Sequence, residues 1–436
     1  MNYPHHDNHG TDKELYQCPE CLLWYEGKKW RDKCETWCKE HHNCNLEIIE
    51  HAVENKGQKI YETIIIGGGV SGLSCAKRLH EAKRDFLLIT EELGGRLLSA
   101  ECCGINYGAA YMTSDYVNML KYAEKKEPLR VKDFFFSSGN NFTNVFTPRN
   151  IRHIPKMIEF ILILKKVRKH FMKYRARAPD KSVKECFEDD PVLMKYWKMP
   201  ATEFIKKHGF EELDKLYGNP VTAATAFIES DKVNAFYYIG MFFPVILKTW
   251  IVDLRHTTEK LTSGYEDKIK ISRVGKVYKA TNGIFKLGSS IGDFSAKNIV
   301  FAAPQKLLDQ VYQLPKPFIQ QPAYVFHLTG VKKSIYQNKK AVVFRPEEND
   351  IFMIWELAGC ADIIYSKNPE PDFKKYYETY KIVRRLYWDP GMVIPRGEII
   401  EQKLESGVYL ASDYNLSLME DCFLTGLYAA NQIINK

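Results

Sequence analysis

Two groups of residues in this chain have the types and spacing to do chemistry. The first is Gly67-Gly68-Gly69-Val70-Ser71-Gly72. It follows directly on Tyr61-Glu62-Thr63-Ile64-Ile65-Ile66, whose isoleucine run reads as a buried parallel strand. A helix is expected over Leu73 to Ala82, where Leu73, Ala76, Leu79 and His80 keep helical spacing, and a second strand over Asp85 to Thr90. Strand, glycine turn and helix start together make a cradle for a dinucleotide pyrophosphate. Gly67 permits the tight turn, Gly69 lets phosphate approach the backbone, and Gly72 lets helix and strand pack closely. The N–H groups around Ser71, at the positive end of the helix, face the anion. The plainer alternative is a glycine-rich turn in an α/β core; the nucleotide site is the expected reading.

The second group is an amino-terminal cysteine cluster. Cys18-Pro19-Glu20-Cys21 is a tight knuckle, and Cys34 and Cys38 form a second pair at helical i, i+4 spacing. The knuckle supplies two thiolates and one helix face supplies two more, the ligand spacing of a zinc finger with cysteines in the histidine positions. Zn2+ is the expected metal, with His42 and Cys44 as alternate ligands and Tyr25 and Trp30 as a minimal core. Unligated thiols or disulfides are the competing readings. Glu35 and Glu40 stand among Lys33 and Lys39 on the same helix, so nucleic acid is not an expected partner; a structural or partner-docking module is.

The elements that position these groups need more than one core. A chain of 436 residues calls for two or three domains. A formal charge of +8, interleaved in sign, does not imply nucleic acid, and 45% hydrophobic with 27% charged residues is ordinary globular composition. Met1 to Lys13 has no apolar core of a secretory signal. Five of the 11 cysteines crowd between Cys18 and Cys44, which suits a metal site plus free thiols in a reducing compartment, the cytoplasm. The longest apolar run, Ala235 to Leu247, is broken by Pro244 and too short to span a membrane. A buried core helix is expected there, ahead of a cavity lining or a lipid contact. Ile151 to Arg177 turns from apolar to basic along its length. Peripheral contact with anionic lipid is one reading, and a solvated basic face is the expected one.

The cofactor is narrowed by Glu91-Glu92-Leu93-Gly94-Gly95-Arg96, a Gly-Gly-Arg soon after the second strand. With it the chain resembles the FAD-dependent amine oxidase, phytoene desaturase and protoporphyrinogen oxidase-like superfamily. The resemblance implies that Gly94 and Gly95 let the backbone pass close to FAD and that Arg96 lies near pyrophosphate and flavin. It implies an acid on the adenosine ribose; direct counting puts Thr90 at that place, with Glu91 next to it. Cys103 to Tyr111 resembles the segment leading to the flavin, where Gly108 and Ala109 would admit the ring and Asn106 stands for the usual aspartate. Val274 would meet the adenine through its backbone, on a strand over Lys268 to Val274, and Asn298 to Pro304 looks like the family's apolar strand. Gly407 to Asp413 resembles its last strand, with Asp413 on the ribityl–phosphate part. Ser417-Leu418-Met419-Glu420 reads as a capping box opening a helix to about Ile434, whose start at Met419 would face the flavin pyrimidine.

The expected fold class is therefore α/β: a discontinuous Rossmann-type FAD-binding domain, a mixed α+β substrate domain and a small Cys-rich zinc module. The divisions are a flexible tail (1–15), the zinc module (16–55), FAD-binding parts at 61–115, 261–310 and 396–436, a helical substrate part at 116–260 and a substrate sheet at 311–395. The implied activity is hydride transfer from a C–N or C–C donor to flavin N5, with O2 or a quinone as acceptor. No catalytic residue is assigned. Gln321 to Leu328 resembles the strand that in amine oxidases carries a lysine, and it has none. That lack, and the aromatics Phe236 to Phe243, tilt the small-molecule substrate towards an apolar donor. His327, Trp355, Tyr387 and Trp388 are cavity candidates for which ordinary core is the default. The alternative is a catalytically silent FAD-holding scaffold with a zinc docking module.

Overall fold

The computed structural model describes residues 14–21, 23–41, 45–53, 59–99, 104, 106–139, 141–280, 282–303, 305–310, 312, 314, 318–357 and 361–436. Ile64, Ile65 and Ile66 are buried in the strand Ile60–Gly68, which sits at the centre of an eight-stranded sheet. Phe86–Leu93 runs parallel to it on one side and Gly292–Phe301 on the other. Two stretches far from it in sequence, 269–289 and 408–410, complete the sheet. Ile269–Ile271 pairs with Phe86–Leu93, Val408–Leu410 pairs with Gly292–Phe301, and Val274–Lys279 with Phe285–Ser289 extends it antiparallel. The stretch read as one strand, Lys268 to Val274, is thus two strands that change partner at Ser272-Arg273.

Two helices cover one face of this sheet. Val70–Glu81 begins three residues ahead of the expected Leu73, at the end of the glycine turn. Met419–Ile434 lies across it so closely that a Cβ on Gly426 would stand 2.1 Å from the Ser71 carbonyl oxygen. The Ser74 hydroxyl seals the contact by donating to the Phe423 carbonyl at 2.9 Å.

The second region is a seven-stranded sheet with a helical layer. Its edge is a long antiparallel pair, Phe318–Lys332 with Tyr377–Pro395, followed by Ala361–Ser366, Ile351–Leu357 and Ala341–Val343. Phe134–Ser138 and Asn141–Thr143 join this sheet, and Thr249–Asp253 pairs with Tyr111–Thr113, so 116–260 is not helical throughout. The helices pack around Phe171, Trp197, Phe204 and Phe236. Ala235 to Leu247 forms two short helices, Ala235–Gly240 and Phe243–Ile246, and Phe236, Tyr237, Tyr238 and Phe243 are buried in that core.

An ionic cluster joins the two regions. Arg175, on helix Ile154–Arg177, reaches Asp421 at 2.8 Å and Asp115 at 3.3 Å, all three buried. Burial works against its charge, and the two carboxylates outweigh that and hold it charged. At the amino end, Leu15–Gln17, Trp24–Glu26 and Ala52–Val53 form a small sheet beside helix Lys28–His41. Among the described residues no helix is long and apolar enough to cross a membrane.

Candidate functional site

Each glycine of the first turn has its own steric reason. Gly67 has φ +109°, and a Cβ there would meet the Ala302 carbonyl oxygen at 2.4 Å. A Cβ on Gly72 would stand 1.9 Å from the Gly67 carbonyl oxygen, so helix and strand touch only because it is absent. A Cβ on Gly69 would meet nothing within 4 Å. That open side, beside the first N–H groups of helix Val70–Glu81, is where an anion can approach. Ser71 does not present its hydroxyl there; it is buried against Thr425, 3.4 Å away.

The second glycine pair folds onto the first. Gly94 and Gly95 both have positive φ, at +93° and +55°. Gly94 N–H donates to the Gly68 carbonyl at 2.8 Å, and a Cβ on Gly95 would lie 3.3 Å from the Gly69 Cα. Arg96 then projects to two distant parts of the chain. One guanidinium nitrogen donates to the Gly391 carbonyl and another to Asp413, each at 2.7 Å. The Asp413 carboxylate raises the guanidinium pKa further. Gly108 completes the packing, since a Cβ there would be 2.6 Å from the Arg96 carbonyl oxygen. Ala109 is exposed beside it, its carbonyl bonded by the buried Asn106 amide. The structure therefore brings Gly67, Gly69, Gly72, Gly94, Gly95, Arg96, Gly108 and Asp413 together.

The ribose end is arranged differently from the expectation. Thr90 is buried, and its hydroxyl accepts from Gly68 N–H at 2.9 Å and donates to the Glu92 carbonyl at 2.7 Å, so it has no lone role left for a ligand. Glu91 is exposed and lies 3.7 Å from the exposed Arg273, next to Val274. Val274 is buried and pairs with Ser289.

The capping box at Ser417 does not form. Leu418 is the N-cap of helix Met419–Ile434, with no side-chain cap. Ser417 instead donates to the Val393 carbonyl at 2.6 Å. Glu420 turns away and accepts from the backbone N–H groups of Asn118 and Met119 at 3.0 Å, capping a different turn. Tertiary partners outcompeted the local motif. Met419 is buried at the helix start, whose first N–H groups have no side-chain cap.

Next to the stretch Asn106 to Tyr111 lies an aromatic cluster on the seven-stranded sheet. Tyr107, Phe136, Trp355 and Tyr365 are buried in one cluster with Val325 and Ile363. Tyr107 Oη and His327 Nδ1 stand 3.1 Å apart beside it, and burial lowers the His327 pKa. Sequence spacing gave no hint of this pair, because its members lie 220 residues apart. Trp355 is buried, Trp388 packs against the same cluster, and Tyr387 is exposed and stacked on Tyr324. A lysine does occur on the strand Phe318–Lys332, but Lys332 is held by Glu356 at 2.7 Å and Asp362 at 3.3 Å.

In the amino-terminal module the buried sulfurs of Cys18, Cys21, Cys34 and Cys38 lie within 4.8 Å of one another. Cys34 and Cys38 are 3.8 Å apart and Cys21 and Cys34 3.1 Å, while tetrahedral zinc thiolates stand about 3.8 Å apart. Hydrogen bonding with Cys21 draws the Cys18 thiol down to about 5. Tyr25 is fully buried beside them, and Trp30 stacks on His51 at 3.6 Å. His42 and Cys44 lie outside the described residues. Lys276, on the extended edge of the main sheet, donates to the Glu20 carbonyl of the knuckle at 2.8 Å.

Sheet, turn and helix together form a Rossmann-type fold with an inserted sheet-and-helix region. The family described as NAD(P)-binding Rossmann-like domain matches residues 65–125. No curated protein matches the chain by sequence. Among solved structures, putrescine oxidase bound to putrescine is similar with a TM-score of 0.64 and 12% identity, covering 87% of this chain and 100% of its own. Cyclohexylamine oxidase from Brevibacterium oxydans IH-35A has a TM-score of 0.62 and 14% identity over 86% of this chain and 99% of its own. A CLA-producing fatty acid isomerase from P. acnes has 0.61 and 14%, over 85% and 98%. This chain shares the fold of these proteins.

Proposed function

We propose that this chain is a FAD-dependent oxidoreductase acting on a C–N or C–C hydride donor. The observation that carries the reading is the Arg96–Asp413 pair, which joins motifs 317 residues apart beside the glycine turn. Bound FAD would supply hydride acceptance at flavin N5, with O2 or a quinone as the final acceptor. The chain's own residues do the rest. Gly69 and the N–H groups of the following helix hold the pyrophosphate, and Glu91 is the acid left for the ribose. Asp413 and the Gly391 carbonyl fix Arg96, which neutralises phosphate charge. Gly108 and Ala109 give the flavin ring close access, Val274 borders the adenine, and Met419 opens the helix facing the ring.

On the substrate side the wall of Tyr107, Trp355 and Tyr365 excludes water and suits an apolar donor. His327, bonded to the Tyr107 hydroxyl, helps to fix that ring beside the donor. Lys332 is already saturated by two carboxylates, so it does not take the lysine role of amine oxidases. Solved structures with this fold include both amine oxidases and a fatty acid isomerase, which supports keeping both donor classes. The four buried cysteines hold a structural Zn2+ that shapes a docking module against the main sheet. Anaerobic titration of the flavin-loaded protein with amines and unsaturated lipids tests the activity. The flavin absorbance bleaches with at least one donor and returns in air; a flavin that no donor reduces makes the chain a scaffold.

A further inference from the structure

We propose that the outer face of helix Ile154–Arg177 docks on an anionic lipid bilayer. The basic face expected there is exposed, and that reading leaves the placement of its apolar residues unexplained. Ile154, Ile158 and Leu162 are 47%, 53% and 62% exposed, and Ile151 in the preceding turn is 67% exposed. At helical spacing they share one side, opposite the buried Leu164, Val167, Phe171 and Tyr174. A solvated face is polar, whereas this one shows a row of branched aliphatic side chains. Phe146, just upstream, and Val245, on the short helix packed against this one, are exposed as well.

The same face continues into Lys165, Lys166, Lys169 and Lys173, all exposed. None of the four makes an ion pair among the described residues, although most other charges on this helix do: Lys156 pairs with Glu159, Arg168 and Arg175 with Asp115, and Arg177 with Asp189. Four unpaired lysines beside four aliphatic side chains choose the occupant. A protein interface depletes lysine at its centre. A bilayer surface accommodates both, because aliphatic side chains enter the acyl boundary while lysine stems lie along it and their ammonium groups reach lipid phosphates. The surface is one convex helix, about 36 Å long at 1.5 Å per residue, which suits lying in a plane rather than filling a groove.

The test is flotation of the full-length protein with vesicles of phosphatidylcholine containing one third phosphatidylglycerol, against vesicles of phosphatidylcholine alone. The protein floats with the anionic vesicles only, and raised salt releases it. Ile158→Glu with Leu162→Glu weakens the partition at least about tenfold. Glutamine at the four lysines weakens it by roughly a hundredfold or more. These positions are exposed, and an unchanged far-ultraviolet circular dichroism spectrum shows that each variant is folded. Failure of the unmodified protein to float with anionic vesicles overturns the proposal. So does flotation undiminished in both variants, or conversion of an oligomer to a monomer by the glutamates, which would assign the face to a second copy of the chain. None of these readouts depends on flavin, so they stand or fall apart from the oxidoreductase reading.

Discussion

Gly69 and Gly72 differ by three positions and by what a methyl group would meet. At Gly69 it would point into open space, with φ −77° already acceptable to any residue. Gly69→Ala therefore keeps stability within about 1 kcal/mol, the cost of a poorer N-cap, while FAD affinity falls by at least tenfold, as read by equilibrium dialysis. A loss of fold instead would show that the position is only structural. Asp253 shows how charge is managed nearby. Burial pushes its carboxyl up, but hydrogen bonds from Arg255 and Lys126 outweigh that and hold it at about 2. An acid with a depressed folded pKa stabilises the fold above its unfolded value near 4 and loses that contribution as pH falls towards 2. Asp253→Asn should thus cost about 2 kcal/mol at neutral pH and progressively less below about pH 4, measured by denaturant titration across that range. A cost independent of pH would remove the charge from the explanation.

At the scale of elements, Gly72→Ala is the opposite case from Gly69→Ala. Its methyl group would sit 1.9 Å from a backbone oxygen, so strand and helix must separate. The expected loss is about 1–3 kcal/mol or more, visible as a lower Tm even without cofactor; an unchanged Tm would contradict the close packing. The central strand, the glycine turn and the crossing helix were legible because their residues are adjacent and each has a local steric role. Gly94, Gly95 and Arg96 were legible for the same reason. What escaped was settled by long-range partners. Ser417 and Glu420 have the spacing of a capping box, yet Val393, Asn118 and Met119 claimed them. Thr90 stands where an acid is expected, but its hydroxyl closes onto Gly68, and the loop to Gly94 is too short to leave that strand end free. Lys268 to Val274 alternates like one strand, and only the sheet reveals the change of partner. The Tyr107–His327 pair and the Arg175 cluster join residues with no sequence signal between them.

For the molecule as a whole, the main sheet is assembled from three distant segments, and the cysteine module rests on its extended edge through Lys276. If four thiolates hold one zinc ion, a chelator with a thiol-reactive reagent releases one zinc per chain and unfolds the module, while the main domain keeps its Tm; binding energy in such modules is folding energy. Zinc-free protein with an unchanged environment at Trp30 and Trp37 would contradict this. The broader account rests on FAD in the cradle of Gly69, Arg96 and Asp413. Its most direct test is the absorbance spectrum of the purified full-length protein, before and after addition of FAD, alongside Arg96→Ala. The account predicts a yellow protein whose flavin is released on denaturation and whose affinity for FAD falls at least tenfold in the variant. A colourless protein that takes up no added FAD would contradict it.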